Sequence, residues 1–259
     1  MKARQLTDAL RYVRRSKRAS RLRGRPFFLE SLDGTRLSCS IVEGAFNRAV
    51  VVAHPAVVDS RQEQVEALAA ELAREFTVIL FDFRGHGRSS GRCPAGFNAV
   101  STDMEAVVRH ARLMGFERVA AAGFSLGAAA SLLLAAREPE MLDAVVSIGC
   151  PPRFPGEMIP GRRPLLSALA LRMLGMRVTL KPDHGPDPLD VAPQLPPIPK
   201  LLCFGEWETS PPETVEEFAR SVSNPKEVIT VEGAWHADLQ GMEPQVREWL
   251  SRAMSGLLV

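Results

Sequence analysis

Two kinds of apolar pattern alternate along this chain. The runs "AVVVAH" (Ala49–His54) and "FTVILFDF" (Phe76–Phe83) are continuous and rich in β-branched residues, as strands buried on both faces require. Between them, Gln64–Arg74 carries Val65, Leu68, Ala69 and Leu72 at helical spacing. The rhythm continues with a helix over Ser101–Met114, for which Ser101 is the expected N-cap. It then predicts a strand at Arg118–Ala122, an apolar helix after Ser125, and strands at Ala144–Gly149 and Lys200–Gly205. A last strand in "EVITVEG" and a helix over Pro244–Met254 close the chain. Upstream, Phe27–Ser31 and Arg36–Glu43 flank Asp33-Gly34, a hairpin signal. Strands alternating with helices imply an α/β fold whose mostly parallel, doubly wound sheet is covered on both sides.

The stretch Pro151–Pro199 breaks that rhythm, being rich in proline and poor in β-branched residues. Inside it, Pro164–Leu174 has the pattern of one apolar helix, with Leu166, Leu169 and Met173 spaced to share a face. A greasy helix in a Pro-rich insertion between two core strands reads as a short lid over a pocket. It also reads as a packed crossover helix, and one helix can be both. The expected organisation is a basic N-terminal segment (1–25) and one domain (26–259), with the insertion at 151–199.

Charge distinguishes the two parts. The whole chain is net +2, yet residues 1–25 hold ten basic residues against Asp8 alone. The body is left with 22 basic and 29 acidic residues, a balance that argues against nucleic acid as its partner. In the leader, Leu6, Ala9, Leu10 and Val13 recur at i, i+3, i+4 and i+7 with arginines on the other faces. Such a helix can lie on an anionic membrane surface, and a mitochondrial presequence has similar composition. Its apolar face is short and lacks Trp or Phe anchors, so docking on its own domain is the expectation, rather than membrane contact.

No apolar run reaches the roughly 18 residues of a membrane span, and no apolar segment of signal-peptide type follows the basic start. The four cysteines (Cys39, Cys93, Cys150, Cys203) show neither CxxC pairing nor metal-ligand spacing. Cys150 and Cys203 fall in strand-like runs, where a thiol packs as a small hydrophobe. A cytoplasmic protein with no metal or organic cofactor is expected.

The candidate chemistry centres on Gly123-Phe124-Ser125-Leu126-Gly127, placed between a strand and a helix. A nucleophile elbow needs this order: the serine sits on a strained turn, and the residues two before and two after must be small. The helix N-terminus that follows favours developing negative charge. A serine hydroxyl needs a base, and the base needs an orienting carboxylate. Of the five histidines, His54 and His86 end strands or start loops as structural hydrogen-bonders, His110 lies on a helix as an expected solvent-facing residue, and His184 lies in the insertion. His236, after the last strand, alone fits the chain order serine, acid, histidine. For the acid, Glu206 and Glu208 follow the penultimate strand, with Asp238 a further candidate.

These segments together resemble the α/β-hydrolase superfamily, specifically its serine-nucleophile, esterase- and lipase-like branch. In that superfamily the penultimate strand usually ends in Gly-x-x-Asp, and Gly205-Glu206-Trp207-Glu208 puts Glu208 at the acid position. Glutamate there is a departure, since its extra methylene changes the approach to the histidine. Asp82-Phe-Arg-Gly-His-Gly-Arg-Ser-Ser-Gly91 looks like the family's Asp-x-Arg-Gly-x-Gly-x-Ser motif, which anchors loops near the site. His54-Pro55-Ala56-Val57 occupies the place of the His-Gly-x loop that supplies an oxyanion donor. Proline replaces the usual glycine and has no N–H, so the implied donors are the backbone N–H groups of Ala56 and Leu126.

The resemblance implies acyl transfer through a Ser125–His236–Glu208 triad. The expected substrate is a carboxylic ester of small or medium apolar size, because the insertion is greasy and no charged pocket signature is present. A thioesterase, a peptidase and a C–C hydrolase use the same triad, and a non-catalytic binding protein can share the scaffold.

Overall fold

The expected strands join in a single sheet. The computed structural model describes residues 22–44, 47–154, 172 and 176–257. In chain order its elements are β1 (Arg25–Glu30), β2 (Arg36–Val42), β3 (Arg48–Ala53), α1 (Glu63–Leu72) and β4 (Thr77–Phe81). These are followed by β5 (Cys93–Ala95), α2 (Asn98–Leu113), β6 (Arg118–Phe124), α3 (Leu126–Arg137) and β7 (Ala144–Ile148). After the insertion come β8 (Val178–Pro182), α4 (Pro188–Val191), β9 (Lys200–Trp207), α5 (Pro212–Ser221), β10 (Lys226–Trp235) and α6 (Glu243–Ala253).

The main sheet has eight strands in the order β1-β2-β4-β3-β6-β7-β9-β10. The strands from β4 to β10 pair in parallel, while β2 runs antiparallel to both its neighbours. Period-two alternation splits the apolar runs between two cores. Val51, Ala53, Ile79, Phe81, Leu202 and Phe204 pack against α2 and α3 on one face. Val50, Val52, Val78, Leu80, Leu201 and Cys203 pack against α1 and α6 on the other. The sequence runs are continuous because both sides of the sheet are buried. Among the described residues no helix is long and apolar enough to cross a membrane.

Several expectations are corrected. Ser101 is not the N-cap of α2, which begins at Asn98 after Phe97. The Asp183 carboxylate, arriving from just past β8, accepts the Ala99 N–H at 2.6 Å and takes over that role. Ser101 is instead buried within the helix. Cys150 lies just past β7 rather than within it, although it is buried as expected. Helix α5 and the short parallel pair β5–β8 are additional to the expected elements. The basic leader up to residue 21, and the lid positions Leu166, Leu169 and Met173, lie outside the described residues.

Candidate functional site

The site assembles at the ends of β6, β9 and β10. Ser125 follows β6 with φ 49° and ψ −104°, a left-handed backbone that a serine adopts only under constraint. Its N–H donates to the Ile148 carbonyl of β7 at 2.8 Å, and its carbonyl accepts the Ala129 N–H at 3.0 Å. The flanking glycines are demanded by space. A Cβ on Gly123 would overlap the Gly127 backbone, and one on Gly127 would stand 2.5 Å from the Ala53 carbonyl oxygen. Strand, turn and helix therefore close around Ser125 only with glycine at both positions.

His236 arrives from β10, whose pairing with β9 slips between Val231 and Trp235. The slip carries the chain over the sheet end, where the His236 N–H donates to the Trp207 carbonyl at 3.1 Å. Gly149, beyond β7, lets this loop approach, because a Cβ there would lie 2.6 Å from the Ala237 nitrogen. In this position the Ser125 hydroxyl reaches His236 Nε2 at 2.8 Å. On the other side of the ring, Nδ1–H donates to Glu208 Oε2 in a short contact. Glu208 Oε1 accepts the Gly205 N–H at 2.9 Å, which fixes the carboxylate plane. A carboxylate on Nδ1 sets the tautomer and leaves Nε2 as the acceptor toward the serine. The Glu208 side chain is only 8% exposed and His236 17%, so this line is shielded from water.

The other acid candidates are engaged elsewhere. Glu206, exposed at the end of β9, accepts the Gly233 N–H at 2.8 Å and ties down the slipped segment of β10. Asp238 accepts the Gln240 N–H at 3.1 Å within its own turn. Thr209, not singled out from the sequence, brings Oγ1 to 3.5 Å from His236 Nδ1. A solvated threonine after an acidic loop carries no signal of that contact.

The remaining histidines have separate surroundings. His110 stacks on Phe27 with ring centroids 5.2 Å apart, and is half-buried rather than fully solvent-facing. His184 is exposed. His54 and His86 are buried together, with ring centroids 5.0 Å apart. Burial pushes both below the usual histidine range, His86 to about 3.

Loop 54–57 leaves β3 beside the elbow, since Ala53 pairs with Gly123. Among the described residues neither the Ala56 nor the Leu126 N–H donates a hydrogen bond, so both are free to receive an acceptor. Behind this loop, Asp82 Oδ1 accepts the Ser60 N–H at 3.0 Å and its Oδ2 accepts the Arg88 N–H at 2.9 Å. Arg84 reaches Asp103 at 2.7 Å and Asp33 at 2.6 Å, linking this segment to α2 and to the β1–β2 turn. Burial works against the Arg84 charge, but these carboxylates outweigh it and hold the guanidinium more basic than usual. Among the described residues no three His, Cys, Asp or Glu side chains gather where they could hold a metal ion.

Comparison with known proteins agrees with the architecture. A family model for the alpha/beta hydrolase fold matches residues 49–175. No curated protein matches the chain in sequence. Among solved structures, the chain is similar to the alpha/beta hydrolase GrgF from Penicillium sp. sh18, with a TM-score of 0.73 and 17% identity over 90% of this chain and 100% of that one. It is similar to an esterase from Pyrococcus furiosus, with a TM-score of 0.72 and 18% identity over 90% and 92% of the two chains. A thermophilic esterase from Thermogutta terrifontis gives a TM-score of 0.68 and 21% identity over 89% and 99%. At these identities the likeness is one of fold.

Proposed function

We propose, from the premise that this chain is a protein of the α/β-hydrolase fold, that it is a serine hydrolase cleaving carboxylic esters of small or medium apolar substrates. The observation that carries this reading is the hydrogen-bonded line from Ser125 Oγ through both His236 nitrogens to Glu208. A serine at a strained turn, a histidine acceptor on its hydroxyl and a buried carboxylate behind that histidine have one common use, nucleophilic attack on a carbonyl.

In the reaction, Ser125 Oγ attacks the ester carbonyl while His236 Nε2 takes its proton. Glu208 stabilises the imidazolium and holds the ring in register. The N–H groups of Ala56 and Leu126 receive the oxyanion, where each donor is worth roughly 10²–10³ in rate. His236 returns the proton to the leaving alcohol, and water attacks the acyl-enzyme by the same relay. The apolar run Pro164–Leu174 favours an apolar acyl group. The esterase structures named above add only a likeness of scaffold.

The test is a fluorophosphonate probe followed by hydrolysis of p-nitrophenyl esters, acyl-CoA and aminoacyl substrates. Wild type should be labelled and should turn over short acyl esters fastest. Ser125→Ala should lose labelling and on the order of 10⁴–10⁶ in kcat while remaining folded. An alanine variant keeping more than about a tenth of the activity would overturn the nucleophile assignment.

A further inference from the structure

His54 has no part in the proton relay, yet it is completely buried at the start of the loop that carries Ala56. Its Nδ1 lies 2.6 Å from the Pro55 carbonyl oxygen, and its Nε2 lies 3.0 Å from the Phe83 amide nitrogen. A carbonyl only accepts and an amide N–H only donates. The ring is therefore neutral, with its hydrogen on Nδ1 and its lone pair on Nε2. The Phe83 and His86 rings pack edge-on against it, each with centroids 5.0 Å away. Phe83 itself follows Asp82, whose carboxylate is bonded to Ser60 and Arg88.

The carbonyl that His54 holds belongs to the same peptide unit as the Ala56 N–H. That unit is planar and, when trans, points its C=O and N–H in opposite directions. Anchoring the Pro55 oxygen on the buried side turns the Ala56 N–H to the other side. Position 55, being proline, offers no N–H by which the loop could be held instead. The next residue, Val57, has φ 73°, a conformation that a β-branched residue keeps only when its surroundings fix it.

We propose that His54 is a positioning residue for catalysis: its ring, held by the Phe83 N–H at Nε2, donates Nδ1–H to the Pro55 carbonyl and so aims the N–H of the Pro55–Ala56 peptide at the oxyanion. This rests on the serine-hydrolase reading above. A mobile donor costs the transition state, where the oxyanion exists, and leaves ground-state ester binding nearly unchanged.

The test compares wild type, His54→Ala and His54→Asn, whose side-chain amide can still donate near the Nδ1 position. Turnover of p-nitrophenyl acetate and inhibition by a trifluoromethyl ketone, which forms a tetrahedral adduct, are measured together. His54→Ala should lose roughly 10²–10³ in kcat with KM within about twofold, and should lose ketone affinity by a similar factor. His54→Asn should recover most of both. An alanine variant with kcat within about threefold of wild type, or a loss carried by KM alone, overturns the proposal. If the alanine variant fails to fold, imidazole nitrogen NMR on wild type decides. The Nδ1–H neutral tautomer of His54 at pH 7 supports the clamp, and an Nε2–H tautomer or an imidazolium overturns it. Wild type that is neither labelled by the fluorophosphonate nor active would instead defeat the serine-hydrolase reading itself.

Discussion

Glu206 accepts the Gly233 N–H at 2.8 Å, and it is Glu208, two residues on, that accepts the His236 Nδ1–H. Glu206 still lies within β9, whereas Glu208 follows its end at Trp207 and turns toward the histidine loop. Glu208→Gln should therefore lower kcat by on the order of 10²–10⁴ at neutral pH, since an amide neither balances the imidazolium nor enforces the tautomer. Glu206→Gln should stay within about threefold, with a small loss of stability from the loosened strand end. Steady-state kinetics on both variants check this, and a reversed order of losses would exchange the two roles.

The strands and the elbow were legible because both rest on local rules. A run such as Val50–Val52 admits few structures other than a strand buried on both faces, and Gly123 and Gly127 are demanded by the turn they flank. What escaped rests on distant partners or weak patterns. The carboxylate at the start of α2 comes from Asp183, far along the chain from Ala99, so the nearer Ser101 was a false cap. Helix α5 buries only Phe218 and so shows no broad apolar stripe. β5 has three residues, too few for a period to register. Glu208 was distinguishable from Glu206 only through the Gly-x-x-acid spacing, because both are acidic residues two positions apart at the same strand end.

The contact between Gly127 and the Ala53 carbonyl makes a stability prediction. Gly127→Ala places a methyl 2.5 Å from a backbone oxygen in the central strand, where nothing flexible can yield. The variant should be destabilised by about 1–3 kcal/mol, the usual range for overpacking, and its fluorophosphonate labelling should slow. Urea unfolding and labelling rates measure the two effects. A variant with the wild-type midpoint and labelling rate would mean that the elbow is looser than this packing requires.

The basic leader makes a prediction from its pattern alone. In a helix, the spacing of Leu6, Leu10 and Val13 would give a short apolar face without Trp or Phe anchors, better suited to docking on protein than to entering lipid. Deleting residues 1–21 should lower the melting temperature by a few degrees, leave kcat on soluble esters unchanged, and alter no vesicle binding. Salt-sensitive sedimentation of the full chain with acidic vesicles, lost on deletion, would assign the leader to a membrane surface instead.

The buried histidine pair gives the protein a pH dependence of stability with a definite sign. His86 is 1% exposed, donates Nδ1–H to the Arg84 carbonyl at 3.0 Å, and has no partner for Nε2 among the described residues. Burial lowers its pKa to about 3, and burial likewise lowers that of His54. In the unfolded chain both return to about 6.5. As pH falls below about 6.5 the unfolded state takes up protons that the native state refuses. Stability is therefore complete above that pH and drains away toward pH 3, where native His86 also begins to protonate. Each histidine contributes a slope of up to about 1.4 kcal/mol per pH unit. His86→Gln removes one such group, so urea unfolding near pH 5 should show a slope shallower than wild type by about that amount. Equal slopes for the two proteins would mean that native His86 takes up its proton as readily as the unfolded chain does.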